Sequence, residues 1–144
     1  MGTLLPEDFP LASLKNDAER MVVEALCDRL NDSWVVLPSV GLSDGDRDRE
    51  IDVVVAHPRD GVAVVEVKGH RPVIRGGRWY AHDKPMEPQP LGQARDNAYA
   101  LRARVRAFHP SLRNVRVEYA VALPNVAEID GRLPPDVHRT QVLT

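Results

Sequence analysis

Two valine-rich segments, Ile51 to His57 (IDVVVAH) and Val62 to Lys68 (VAVVEVK), stand on either side of Pro58-Arg59-Asp60-Gly61. Few local structures satisfy that arrangement. Valine is stiff at χ1 and favours strands, while Pro fixes φ and Gly supplies a positive φ for the turn. An antiparallel hairpin is therefore predicted. Both segments also carry ionisable side chains, Asp52 in the first and Glu66 and Lys68 in the second. Charge buried in a sheet is costly unless it is paired or metal-bound, so something must compensate these three groups. Glu66 and Lys68 are two apart and share one face of their strand, with Val65 and Val67 on the other. A three-residue loop, 58–60, pairs 57 with 61 and sets Asp52 opposite Glu66 on that face. A two-residue loop would turn Asp52 to the wrong face.

The rest of the chain supplies helices and further strands. A helix is predicted from Leu14 to Leu30, with Asn16 or Asp17 as N-cap and Ala18, Val22, Ala25, Leu26 and Leu30 on one face. Glu19 lies in line with Leu26, so its carboxylate points toward the apolar side. Trp34 to Val40 reads as a strand, and Asp44 to Glu50 as a solvated loop. Val73 to Tyr80 suggests a small second hairpin around Gly76-Gly77. A proline-rich connector (Pro85, Pro88, Pro90) leads to a second helix from Leu91 to Phe108, ended by Pro110. Val115 to Leu123 then alternates as a strand closing at Pro124. The second helix can act as the crossover to a parallel strand, which implies an α/β fold with a mixed sheet flanked by helices.

With 144 residues the chain has room for one core. Residues 1–12, with Pro6 and Pro10, read as a loose lead-in, and residues 13–144 as a single domain. The segment Asp136 to Thr144 ends in QVLT, the opening of a further element, so a domain truncated at this end or a junction within a longer multidomain protein is expected. No apolar run approaches the roughly 18 residues of a membrane span, and no membrane partner is expected. A single cysteine, Cys27, excludes internal disulfides and fits a reducing, cytoplasmic setting.

Net charge is −2, but its distribution is uneven. Residues 1–66 hold six Lys/Arg against fourteen Asp/Glu, and residues 67–144 hold thirteen against seven. Several motifs fail on spacing. Asp44 to Glu50 opens like a calcium loop, but Arg49 and Val55 stand where Gly and Glu are needed. His57, His70, His82, His109 and His138 lack zinc spacing, and no GK[ST] follows Gly76-Gly77.

In the expected register, Asp52, Glu66 and Lys68 converge on one face and Glu19 approaches from the helix packed there. Carboxylates that close repel one another and raise their pKa values unless a cation lies between them. Mg²⁺ or Mn²⁺ suits an all-oxygen set completed by water, and a lysine beside it can hold an attacking water or neutralise phosphoryl charge. The competing reading is an ion-pair network that merely stabilises the hairpin.

Glu19 on the first helix, Asp52 about thirty residues later and Glu66-Val67-Lys68 fourteen beyond resemble the PD-(D/E)XK nuclease superfamily. More narrowly, AERMVVEAL, REIDVVVAHP, VVEVKGH, PLGQARDNAYAL and VEYAVALPN resemble the NERD (nuclease-related) domain over residues 13–126. The resemblance implies a restriction-endonuclease-like core of helix–strand–strand–strand–helix–strand and a Mg²⁺- or Mn²⁺-dependent nuclease acting on DNA. It implies Asp52, Glu66 and the Val67 carbonyl as metal ligands, with Glu19 binding directly or through water. Lys68 would orient the attacking water, and Gln93 would contact DNA or hold Lys68. Two features depart from the pattern: Asn97 replaces a tyrosine that some relatives carry four residues after the helix glutamine, and no proline stands beside Asp52.

Arg95, Arg102 and Arg106 on the second helix, with Arg75 and Arg78 on the small hairpin, are candidate phosphate contacts. The expected setting is a module of a DNA-processing or defence protein, fused to or working with a helicase or ATPase, with a homodimer bringing two sites to two strands. The alternative is a non-catalytic nucleic-acid-binding or docking module on the same fold.

Overall fold

The computed structural model describes residues 1–129, 131–135 and 137–144. In chain order these form β1 (Thr3–Leu4), α1 (Asp17–Arg29), β2 (Val35–Asp44), β3 (Arg47–His57), β4 (Gly61–Val67), β5 (Val73–Arg75), β6 (Arg78–Ala81), β7 (Lys84–Pro85), α2 (Pro90–Phe108), β8 (Val117–Ala122) and β9 (Val142–Leu143), with short 3₁₀ turns between them. One six-stranded sheet has the order β1-β2-β3-β4-β8-β9, and β5-β6-β7 form a small second sheet. The β2–β3–β4 meander is antiparallel, and α2 carries the chain across to β8, which pairs parallel with β4. This is the expected mixed sheet flanked by helices, compatible with a restriction-endonuclease-like fold.

The central hairpin has the expected register. His57 pairs with Gly61 and Val53 with Val65, leaving residues 58–60 as the loop. Gly61 is required there: its φ is +95°, and a Cβ would stand 2.3 Å from the Arg116 carbonyl oxygen, which accepts from Val62 N–H.

Four regions differ from the sequence reading. The lead-in is partly ordered, because Thr3 and Leu4 pair parallel with Val35 and Val36, a two-residue strand too short to show periodicity. Asp44 to Glu50 is not a loop: β2 and β3 continue pairing to Asp44 and Arg47 around a turn at Gly45-Asp46. At the C-terminal end, Val142 and Leu143 complete the sheet beside β8, while Asp136, the start of that expected segment, lies outside the described residues. The first helix begins at Asp17 rather than Leu14, because the Asn16 side chain caps it by accepting from Glu19 N–H at 2.9 Å.

The two helices cover opposite faces of the sheet. Ala18, Val22 and Val23 of α1 pack with Val36, Val53, Val55, Val65 and Val67. Ala98 and Leu101 of α2 pack with Leu42, Ile51, Val54 and Val64. Side-chain alternation cannot by itself put Ile51 with Val54, or Val36 and Leu42 on different faces. Both strands slip by one between these positions while the pairing register stays constant, from Pro38↔Val53 to Val40↔Ile51. Ser39, opposite Asp52 in that register, has φ +52° and supplies the slip.

Candidate metal centre and nucleic-acid surface

Asp52 occupies the point where the sheet changes phase and where the β3–β4 ladder stops at Val53↔Val65. Its Oδ2 accepts from the Val67 N–H at 2.9 Å, so the carboxylate lies in the opening between the strands. The sequence reading had Glu19 approach on the face of Glu66, with its helix packed there. Instead α1 covers the opposite face, and Asp52, at the phase slip, lies close enough for its charge to act on both Glu19 and Glu66. Glu19 reaches it from the first turn of α1.

Glu19 and Glu66 are buried, at 4% and 3% exposure, and Asp52 is half-buried. Burial raises all three pKa values; the Asp52 charge adds to the shift at Glu19 and at Glu66, and the Glu50 charge adds to it at Asp52. Glu66 is pushed up to about 7 by burial and then by the Asp52 charge, against the pull of Lys68. Asp52 is raised by burial although the Val67 N–H and Lys68 oppose the shift. Lys15, salt-bridged to Glu50 at 3.0 Å, adds a weaker cationic influence on Glu19 and Asp52.

Two buried oxygens here, Glu19 Oε2 and Glu66 Oε2, have no hydrogen-bond partner among the described residues. Orphaned buried acceptors are rare in folded proteins. An all-oxygen set of partly repelling carboxylates fits a hard divalent cation. Among the described residues no three His, Cys, Asp or Glu side chains are grouped closely enough to hold a metal ion by themselves. Any such ion would also draw on main-chain oxygen or water.

Lys68 is fixed from two sides, with Nζ 3.2 Å from Glu66 Oε1 and donating to Gln93 Oε1 at 3.1 Å. Gln93 stands in the first turn of α2, so both helix N-termini converge on the end of β4. Asn97, one turn after Gln93, is buried and accepts from Arg49 at 3.4 Å, a long contact. It ties α2 to β3 and does not face Lys68 in any hydrogen bond among the described residues.

The expected basic residues separate into groups. Arg75 pairs with Asp83 at 3.0 Å and Arg78 with Glu87 at 2.5 Å in exposed contacts at the small sheet, and Arg95 lies 3.5 Å from Asp96. Arg95, Tyr99, Arg102 and Arg106 form one exposed or half-exposed stripe along α2, with the Arg102 guanidinium 4.8 Å from the Tyr99 ring centroid. At the helical step the stripe is centred about 150° around the axis from Gln93, so it lies on the other flank of α2. Arg106 also donates to the Val115 carbonyl.

The uneven charge has a structural counterpart. Apart from Lys68–Glu66, every ion pair among the described residues joins partners from the same half of the chain. The basic excess of the second half is therefore not consumed by the acids of the first.

Sequence reasoning missed Ser39, which carries no marker beyond following Pro38, and Gln89. The Gln89 side chain accepts from Trp79 N–H at 2.8 Å and donates to the carbonyls of Met86 and Trp79 at 2.6 and 3.2 Å. A lone glutamine between Pro88 and Pro90, four before Gln93, was the available signal.

No curated protein matches the chain. The family model described as "Nuclease-related domain" (NERD) matches residues 14–124, which include Glu19, Asp52, Glu66, Lys68 and Gln93. With that match covering most of its length, the chain belongs to the nuclease-related domain family.

Proposed function

We propose that this domain hydrolyses DNA phosphodiester bonds using Mg²⁺ or Mn²⁺. The observation that carries the reading is the pair of buried oxygens without a partner among the described residues, Glu19 Oε2 and Glu66 Oε2, on two carboxylates that both feel the Asp52 charge. Asp52, Glu66 and the Val67 carbonyl would hold the ion, with Glu19 joining directly or through water. The ion would relieve carboxylate repulsion and stabilise charge developing on the phosphoryl group. The Lys68 ammonium has three N–H groups, two of which face Glu66 and Gln93. The third is left to orient the attacking water or to meet a phosphate oxygen. Gln93 is a positioning residue that sets the direction of that ammonium. Arg95, Arg102 and Arg106 serve as outlying phosphate contacts, and the protein works as a module of a DNA-processing or defence protein.

The test is Mn²⁺ titration by calorimetry into wild type and Asp52→Ala, with plasmid nicking assayed on both. Wild type is expected to bind Mn²⁺ and nick, and the variant to do neither. Failure of wild type to cut any DNA form with Mg²⁺ or Mn²⁺, or undiminished nicking by Asp52→Ala, overturns the proposal. DNA affinity without cleavage would select the binding-module reading, which the arginine stripe on α2 supports.

A further inference from the structure

The arginines expected to meet nucleic acid do not line the approach to Lys68. A groove of about 240 Å³ does, beginning at Lys68 and lined by His70, Ala81, Lys84, Met86 and Glu87. Its far wall is the β6–β7 hairpin and the connector that follows it. We infer that this groove receives the DNA strand next to the scissile bond, and that Lys84 and His70 bind the phosphate adjoining the one at Lys68. The inference rests on the nuclease reading for the identity of the strand and extends it to residues outside the carboxylate site.

Three observations carry it. First, the groove is held in fixed relation to Lys68. Gln89 clamps Trp79 and Met86 through three hydrogen bonds, and its own carbonyl accepts from Gln93 N–H at 2.9 Å. Gln93 in turn holds Lys68. Trp79, 2% exposed, packs the small sheet onto Leu91 and Ala94 at the start of α2. A wall anchored this way can hold a phosphate at constant distance from the reacting one, which is the condition for positioning to affect rate.

Second, the net charge presented is positive. Glu87, the acid in its lining, is paired with Arg78, and Asp83 of the adjoining turn with Arg75. Lys84 is exposed and makes no ion pair among the described residues. An unpaired lysine is well suited to meet a phosphate.

Third, the turn that presents Lys84 is held in an unfavourable backbone conformation. Ala81 pairs with Lys84, and the two turn residues His82 and Asp83 both have positive φ, +52° and +62°. Neither is glycine, so this primed turn costs free energy that an Asn-Gly pair would not. The His82 ring lies edge-on to that of His70, which lines the groove, with centroids 6.1 Å apart.

The experiment uses the whole protein with a fluorescein-labelled single-stranded oligonucleotide, measuring anisotropy across a salt series and steady-state cleavage. Lys84→Glu is expected to weaken binding about tenfold, and Lys84→Ala to lower the salt slope by about 0.7, the value for one single-strand phosphate no longer neutralised. In cleavage, KM should rise by a larger factor than kcat falls for both Lys84→Ala and His70→Ala. Arg29→Ala, on the exposed end of α1, is the charge-matched control and should change neither. Unaltered affinity, salt slope and KM in the Lys84 variants overturn the inference. If wild type binds DNA through Lys84 but does not cut, the groove stands and the nuclease reading falls. If it cuts and Lys84→Glu behaves as wild type, the reverse holds. A wild type that neither binds nor cuts DNA overturns both.

Discussion

Lys68 at the end of β4 and Gln93 in the first turn of α2 are joined by an Nζ–Oε1 hydrogen bond of 3.1 Å. The bond ties the end of β4 to the helix, and with the Glu66 contact it holds the ammonium from two sides.

Removing that acceptor should cost activity and leave the fold intact. Gln93→Ala is expected to lower kcat for plasmid nicking by about tenfold, the effect of losing one hydrogen bond to a charged group. The melting temperature should stay close to wild type because Gln93 is only half-buried. A kcat equal to wild type would show that Glu66 alone orients Lys68.

The pH dependence of stability follows from Glu66. Its folded pKa, about 7, lies above the ordinary 4.5, so the folded state binds the proton more tightly than the unfolded chain does. The associated stability is complete below pH 4.5 and is lost as pH rises through about 7. Metal-free protein should therefore melt at progressively lower temperature across that window, read by thermal denaturation in chelator. Glu66→Gln should flatten the decline and melt higher than wild type at pH 8. A variant that melts lower at pH 8 would favour the structural ion-pair reading.

Ser39 offers a test of the phase slip. Ser39→Gly accepts φ +52° without a Cβ penalty and should be neutral or stabilising by up to about 1 kcal/mol. Ser39→Val, a β-branched residue forced to positive φ, should destabilise by about 1–3 kcal/mol. Urea denaturation distinguishes them, and equal stability of the two variants would remove Ser39 as the source of the slip.

The α2 stripe should act on affinity through charge. Replacing Arg95, Arg102 and Arg106 together by Ala is expected to weaken duplex binding and reduce the slope of log K against log salt by up to about 0.9 for each phosphate the stripe neutralises. Fluorescence anisotropy between low and physiological salt measures this. An unchanged slope would remove the stripe from the interface.

Much of the site was legible because Asp52, Glu66 and Lys68 are expensive residues in valine-rich strands, and Gly61 fixed the hairpin register that relates them. The helix carrying Gln93 was legible from its apolar spacing and from the prolines before it. What escaped depended on pairing between distant backbones. The exchange of faces at Ser39 and Asp52 is a property of two strands together, and neither residue announces it. The outer arm of β2–β3, Asp44 to Glu50, is polar on both faces and shows no alternation. The clamp at Gln89 works through main-chain partners, whose positions no side-chain pattern records.

Glu19, Asp52, Glu66 and Gln93 come from four separate elements, α1, β3, β4 and α2. An unfolded chain therefore carries no counterpart of this cluster, only isolated polar side chains tens of residues apart. A cation held by this cluster would therefore favour the native state over the unfolded chain, and its presence would register as resistance to unfolding that grows with the logarithm of its concentration.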